Sequence, residues 1–181
     1  MPSSTACILG TAVLNTPIGR VSVSACEQGI HNVSLTAAQV LPTNNNSISV
    51  TVVETPSQWT TPLKTCIDWL KVYFKDPQLA NQAPRPPLHL ANPRSDTFTA
   101  KVWDTLSTQV PCGKTVTYGE LATMAGNNKA PRAVGGAMRL NQVPLLVPCH
   151  RVTQSGGKLG NFMSGQGIVL KEWLLKHEGA I

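Results

Sequence analysis

Thr117-Tyr118-Gly119-Glu120-Leu121-Ala122-Thr123-Met124-Ala125-Gly126-Asn127-Asn128-Lys129-Ala130-Pro131-Arg132-Ala133-Val134-Gly135-Gly136-Ala137-Met138-Arg139-Leu140-Asn141 decides the fold of the second half of this chain. Thr117 with Glu120 three residues on is a capping box, which opens a short helix through Leu121, Ala122 and Met124. Ala125-Gly126-Asn127-Asn128 is a turn. A second helix over residues 132–141 follows, with Pro131 tolerated in its first turn. Helix, glycine-containing turn, helix is the helix-turn-helix pattern, and its second member carries Arg132 and Arg139.

That second helix breaks a local rule. Gly135 and Gly136 in a helix interior each cost about 1 kcal/mol relative to alanine. With Ala133 and Ala137 they leave one side nearly bare. Two readings follow. Small residues allow close helix–helix packing. Alternatively, a slim helix flanked by arginines enters a narrow groove, where shape and phosphates are read more than base identity.

Eight residues beyond Asn141 stands a cysteine–histidine pair. The apolar run Val143-Pro144-Leu145-Leu146 leads into Val147-Pro148-Cys149-His150-Arg151-Val152. The prolines and apolar approach predict extended, buried backbone at a strand end. Burial makes a thiol inert, whereas a neighbouring imidazole and guanidinium push it toward thiolate. Adjacent residues on a strand point to opposite faces, so Cys149 and His150 need a turn to cooperate.

Outward from this region, residues 98–106 form a helix with Phe98, Val102 and Leu106 on one face, starting near Ser95-Asp96. The first half reads differently. Arg20-Val21-Ser22-Val23-Ser24-Ala25 and Ile30-His31-Asn32-Val33-Ser34-Leu35 alternate like the strands of an antiparallel hairpin. Residues 42–47 are a solvated loop. Residues 62–74 repeat Leu63, Cys66, Ile67, Leu70 and Phe74 at helical spacing, and Asp76-Pro77 stops the run. Four prolines between Asn81 and Pro93 mark a connector. The fold class is therefore α/β plus α: residues 1–90 form a small antiparallel sheet with a helix, and residues 91–181 a mainly helical domain.

Composition fits a globular chain, with 41% hydrophobic and 13% charged residues among 181. No apolar run has a membrane-spanning length, and Met1-Pro2-Ser3-Ser4-Thr5-Ala6-Cys7 lacks the basic start and apolar core of a signal peptide. Five cysteines form no disulfide framework, which leads us to expect a reducing, intracellular setting. Residues 1–90 carry five Lys/Arg against four Asp/Glu; residues 91–181 carry ten against five. The basic excess lies in the helical half, which is compatible with a polyanionic partner and equally with solubility alone.

Thiol and helix together resemble the O6-alkylguanine-DNA alkyltransferase family. The resemblance runs through Arg132-Ala-Val-Gly-Gly-Ala-Met-Arg139, Asn141, Val143-Pro144, Pro148-Cys-His-Arg-Val152, Gly160-Asn161, Lys171-Glu-Trp-Leu-Leu175 and His177-Glu178-Gly179. In the first half, Cys26-Glu27-Gln28-Gly29-Ile30-His31 and Cys66-Ile67-Asp68-Trp69-Leu70 are similar to the animal members. The resemblance implies direct-reversal DNA repair. An O6-alkylguanine is flipped out of duplex DNA, bound through the minor groove, and its alkyl group passes irreversibly to Cys149, once per chain. Such a protein is a methylated-DNA–protein-cysteine methyltransferase with no organic cofactor, acting as a monomer, away from membranes and in the nucleus.

By the same resemblance, His150 takes the thiol proton through a water, Glu178 orients His150, and Tyr118 hydrogen-bonds the flipped base. Arg132 fills the gap in the base stack. Ala133, Gly135, Gly136, Ala137, Arg139, Asn141 and Arg151 complete the DNA-binding set. Pro144, Val152, Gly160 and Asn161 wall the guanine pocket. Cys7, Cys26, His31 and His89 match a closed structural zinc site. Phe162 stands where animal members carry tyrosine, and Leu140 and Gln142 where glycine and proline are usual. The loop over residues 162–167 is two residues longer, so either Met163 or Ser164 takes the serine-like position facing O6.

Two other readings of the residues stay open. A cysteine hydrolase using Cys149 and His150 would turn over. A non-catalytic binder of alkylated DNA would not need the acceptor cysteine this chain retains.

Overall fold

The computed structural model describes residues 7–43, 49–90, 97–163 and 167–181. Parts of the expected loop over 42–47, the helix start at Ser95-Asp96, and Ser164 lie outside the described residues. The first half is a four-stranded antiparallel sheet: β1 (Gly10–Thr16), β2 (Gly19–Cys26), β3 (Gly29–Ala37) and β4 (Thr51–Glu54), ordered β3-β2-β1-β4. The expected hairpin is β2–β3, and β1 and β4 extend it on the other side. Alternation decides which face is buried: Ala12, Leu14, Val21, Val23 and Ala25 point inward, while Thr11 and Ser24 pair their hydroxyls outside at 2.8 Å. Gly19 turns the first hairpin at φ +113, and a Cβ there would stand 2.2 Å from the Thr36 carbonyl oxygen. Only glycine fits.

Helix α1 (Thr61–Lys75) packs across β2 and β3. Thr60 caps it by accepting from the Leu63 amide at 3.3 Å. Asp76 ends it and caps the short α2 (Pro77–Ala80) by accepting from the Gln78 amide at 3.0 Å. The expected stripe of Leu63, Cys66, Ile67, Leu70 and Phe74 is buried, together with Trp69 and Tyr73. Each such side chain contributes about 1.5–3 kcal/mol by leaving water.

The connector is not free chain. Its backbone joins the edge of β3: the Ile30 amide donates to the Pro87 carbonyl at 2.8 Å, and the His89 amide to the Ile30 carbonyl at 2.9 Å. Gly29 permits this approach, because a Cβ there would stand 2.7 Å from the Pro87 oxygen. His89 is thereby carried to the strands holding Cys26 and His31.

The second half contains α3 (Phe98–Gln109), β5 (Val116–Thr117), α4 (Tyr118–Met124), α5 (Pro131–Arg139), a 3-10 turn (Cys149–Arg151), β6 (Val152–Thr153) and α6 (Ile168–His177). Both bonds of the capping box at Thr117 are present. The indole of Trp103 on α3 donates to the Ala137 carbonyl on α5 at 2.8 Å. β5 and β6 pair in parallel, Val116 against Val152.

One hydrophobic core runs through both halves, and the seam between them is polar at its centre. There Glu178, 1% exposed, receives Tyr73 Oη on Oε1 at 2.8 Å and Arg151 Nε on Oε2 at 2.8 Å. Arg151 further donates to Glu178 Oε1 at 2.9 Å, the Val110 carbonyl at 2.7 Å and Cys112 Sγ at 2.9 Å. Gln78 Nε2 holds the Glu178 carbonyl at 3.0 Å, and Arg85 reaches across to the Ser107 and Leu146 carbonyls. Removing one partner of a buried pair leaves the other charge uncompensated. Arg151→Met is therefore expected to cost about 3–5 kcal/mol of stability, checked by urea unfolding of the purified variant beside wild type.

Candidate active site

Asn141 shapes the approach to Cys149. Leaving α5, its side chain donates to the Val147 carbonyl at 2.8 Å and accepts from the Val143 amide at 3.0 Å. The loop so tied includes Leu145 at φ +72, a left-handed conformation that leucine rarely adopts. The backbone then enters the 3-10 turn at Cys149–Arg151, not the extended strand expected from the apolar run. This is the turn the pair requires: Cys149 stays partly exposed while His150 and Arg151 are buried.

His150 Nε2 donates to Glu178 Oε1 at 2.7 Å, and its Nδ1 has no partner among the described residues. Burial lowers the imidazole's affinity for a proton, outweighing the attraction of Glu178. The ring is therefore neutral near pH 7, with Nδ1 as a free base. Burial also pushes the Glu178 carboxyl up, but His150 and Arg151 win and hold it well below the usual carboxylate range. The Cys149 thiol is raised by burial, against the opposing pull of the Asn141 side chain and the Lys171 ammonium. It rests protonated, beside a neutral base.

Lys171 is wholly buried, and its Nζ donates to the Val152 carbonyl at 2.6 Å. Burial lowers it to about 8, with Cys149 opposing. Tyr118, first residue of α4, is brought alongside by the β5–β6 pairing. Burial and Cys149 raise its phenol, and Arg139 opposes them.

On α5, Arg132, Ala133 and Arg139 are exposed, Val134 and Ala137 buried, and Gly135 and Gly136 half-buried. A Cβ at Gly136 would meet nothing within 4 Å, and one at Gly135 only Tyr118 Cε1 at 3.9 Å. Close helix packing therefore does not account for these glycines. Arg151 corrects an expectation: grouped with the DNA-binding residues by resemblance, its guanidinium is instead turned inward onto Glu178, Val110 and Cys112.

The expected pocket walls fall as follows. Val152 is buried, Pro144 and Gly160 half-buried, and Asn161 exposed. Phe162 packs edge-on toward His150 with ring centroids 6.5 Å apart, while Met163 is exposed. Gly167 is needed beneath Phe162, since a Cβ there would stand 2.8 Å from its ring. Tyr73, Cys112 and Lys171 were not singled out for the site from the sequence. Lys171 gave a signal, a lysine among the apolar Leu170, Leu174 and Leu175; Tyr73 gave none beyond its place on the buried stripe.

Cys7, Cys26, His31 and His89 converge, their four donor atoms within 4.8 Å of one another. His31 Nε2 and His89 Nδ1 face each other at 3.1 Å and approach Cys26 Sγ to 3.2 and 3.3 Å. Burial raises the Cys26 thiol, but hydrogen bonds from His31, the Gln28 amide, His89 and the Gly29 amide lower it to about 6. The set is a closed four-donor cluster that could hold a metal, and none of it comes from the residues around Cys149.

Residues 97–180 match the family model of the 6-O-methylguanine DNA methyltransferase DNA-binding domain, and residues 10–80 that of the same family's ribonuclease-like domain. The chain is 43% identical to the methylated-DNA–protein-cysteine methyltransferase of Mus musculus over 175 residues, 96% of this chain and 82% of that one. It is 39% identical to that of Homo sapiens over 178 residues, again 96% and 82%. The crystal structure of Mycobacterium tuberculosis O6-methylguanine methyltransferase matches with a TM-score of 0.69 and 28% identity, covering 96% of this chain and 94% of that one. With relatives this similar along nearly its whole length, the chain belongs to the O6-methylguanine DNA methyltransferase family.

Proposed function

We propose that this protein repairs DNA by transferring the alkyl group of an O6-alkylguanine to its own Cys149. The observation that carries the reading is the Cys149–His150 turn with Glu178 bonded to His150 Nε2, an acceptor thiol beside an oriented neutral base. The M. tuberculosis relative has been crystallised in complex with DNA, and relatives in four mammals are named for this reaction. Work on DNA also supports a nuclear location.

The steps balance as follows. The Cys149 proton passes through a water to His150 Nδ1, and the imidazolium is stabilised by Glu178. The sulfur pair attacks the alkyl carbon in line, the C–O6 bond breaks, and its electron pair stays on guanine. The developing guanine anion is met by the Tyr118 hydroxyl and lies in the field of the Lys171 ammonium. The product thioether resists water, so each chain acts once. The base reaches the thiol only when flipped out of the stack. The face of α5 enters the minor groove, with Arg132 in the emptied stack and Arg139 on phosphate.

In the reacted protein, one methyl from an O6-methylguanine oligonucleotide is expected on the peptide containing Cys149, read by mass spectrometry. Cys149→Ala should keep DNA affinity and lose transfer. A methyl on Cys66 or Cys112, or repeated turnover, would refute the assignment.

Gly136→Ala tests the groove reading of the glycines. Alanine should stabilise the helix by up to about 1 kcal/mol. It should also weaken duplex binding several-fold by adding a methyl to the groove-facing side. Melting and fluorescence anisotropy, compared on one preparation, test both halves of this expectation.

The four-donor cluster fits zinc: two thiols and two imidazoles in a closed set. Cys7, Cys26, His31 and His89 would hold the ion, which supplies a cross-link between the sheet and the connector. With no open position it takes no part in transfer. One zinc per chain is expected by elemental analysis of protein purified without chelator, and chelation should lower the melting temperature. Complete loss of transfer in a folded His89→Ala protein would contradict a purely structural role.

A further inference from the structure

Tyr73 lies on α1, in the half of the chain remote in sequence from the acceptor. Its ring has ordinary packing duties: it stacks on Trp69 at 5.3 Å and meets Phe74 edge-on at 5.1 Å. Its hydroxyl does something packing does not require. It donates to Glu178 Oε1 at 2.8 Å, the oxygen that also accepts His150 Nε2 at 2.7 Å and Arg151 at 2.9 Å. Three donors share one oxygen, so each weakens the others' hold on it.

We infer that Tyr73 is a positioning residue of the transfer reaction, its hydroxyl setting how strongly Glu178 holds the proton of His150. The inference rests on the alkyl-transfer reading above. Tyr73 touches neither thiol nor base; it acts through the carboxylate. Burial and the adjacent Glu178 keep the phenol from ionising at any working pH, so it serves as a constant donor. The other groups facing this pair are Arg151 on the turn, Cys112 after α3 and Lys171 on α6. Arg85 of the connector interacts electrostatically with Arg151, and His177 lies edge-on to the Tyr73 ring. None of these others comes from α1.

The sign follows from charge. Without the phenolic hydrogen bond, Oε1 carries more negative charge toward His150, and the imidazole keeps a proton to higher pH. A protonated His150 cannot accept from Cys149, so the acid limb of the pH–rate profile moves to higher pH.

The test is single-turnover methyl transfer to Cys149 from a duplex containing O6-methylguanine, measured across pH for wild type, Tyr73→Phe and Gln78→Met. Tyr73→Phe keeps the ring and removes only the hydroxyl. Its rate should fall about three- to tenfold on the acid limb and match wild type on the plateau. Gln78→Met breaks the tie to the Glu178 backbone carbonyl without touching Oε1, and should leave the limb in place. A Tyr73→Phe profile that superimposes on wild type, or is scaled down equally at every pH, overturns the inference. NMR titration of the His150 ring gives a readout independent of transfer: its midpoint should move to higher pH in Tyr73→Phe, and an unmoved midpoint overturns the inference. Wild-type protein that transfers no methyl while this midpoint moves would instead overturn the alkyl-transfer reading alone.

Discussion

A single carboxylate oxygen, Glu178 Oε1, organises this protein. It gathers α1 through Tyr73, the acceptor turn through His150 and Arg151, and its own place just past α6. Taking a carboxylate and a guanidinium out of water costs several kcal/mol per ion. That cost is offset here only because almost every hydrogen-bonding position on both groups is filled. Folding and chemistry are therefore one constraint: the arrangement that makes the seam tolerable also fixes the tautomer of His150, leaving Nδ1 as the base.

Much of the fold was legible because local patterns agreed with tertiary need. The α1 stripe, the β2–β3 hairpin and the capping box at Thr117 each specify themselves within a few residues. β1 and β4 did not: the Thr16-Pro17-Ile18-Gly19 turn marks where β2 begins but leaves the strand before it unassigned, and β4 is only four residues long. At the acceptor, apolar residues and prolines spell a strand. The chain turns instead because Asn141 ties its loop and the backbone folds over at Pro148, neither of which a short window reveals. Arg151 was misplaced for a similar reason. Resemblance grouped it with the DNA-binding residues, and only its partner Glu178, 27 residues away, shows that the guanidinium turns inward.

The Cys/His cluster marks the limit of spacing arguments. Cys26 and His31 are only loosely ligand-like in spacing, Cys7 and His89 lie far from them in sequence, and likeness to a family suggested the set. What brings the four together is backbone: Gly29 lets the connector pair with Ile30, and that pairing delivers His89. The two glycines of α5 are legible in the opposite way. Their propensity cost was visible in the sequence, and the empty space around Gly136 removes packing as its reason.

The mounting of α5 has one more consequence. Trp103 fixes one turn of this helix to α3, and Asn141 ties its end to the residues just before Cys149. The exposed arginines and the thiol are thus tied to one another through α3 and the Asn141 bridge. In a reaction on duplex DNA, a thiol held at this half-buried place does not reach into the base stack. The nucleotide must cover the whole distance, and any lesion whose backbone cannot swing that far lies beyond reach, however reactive its alkyl group.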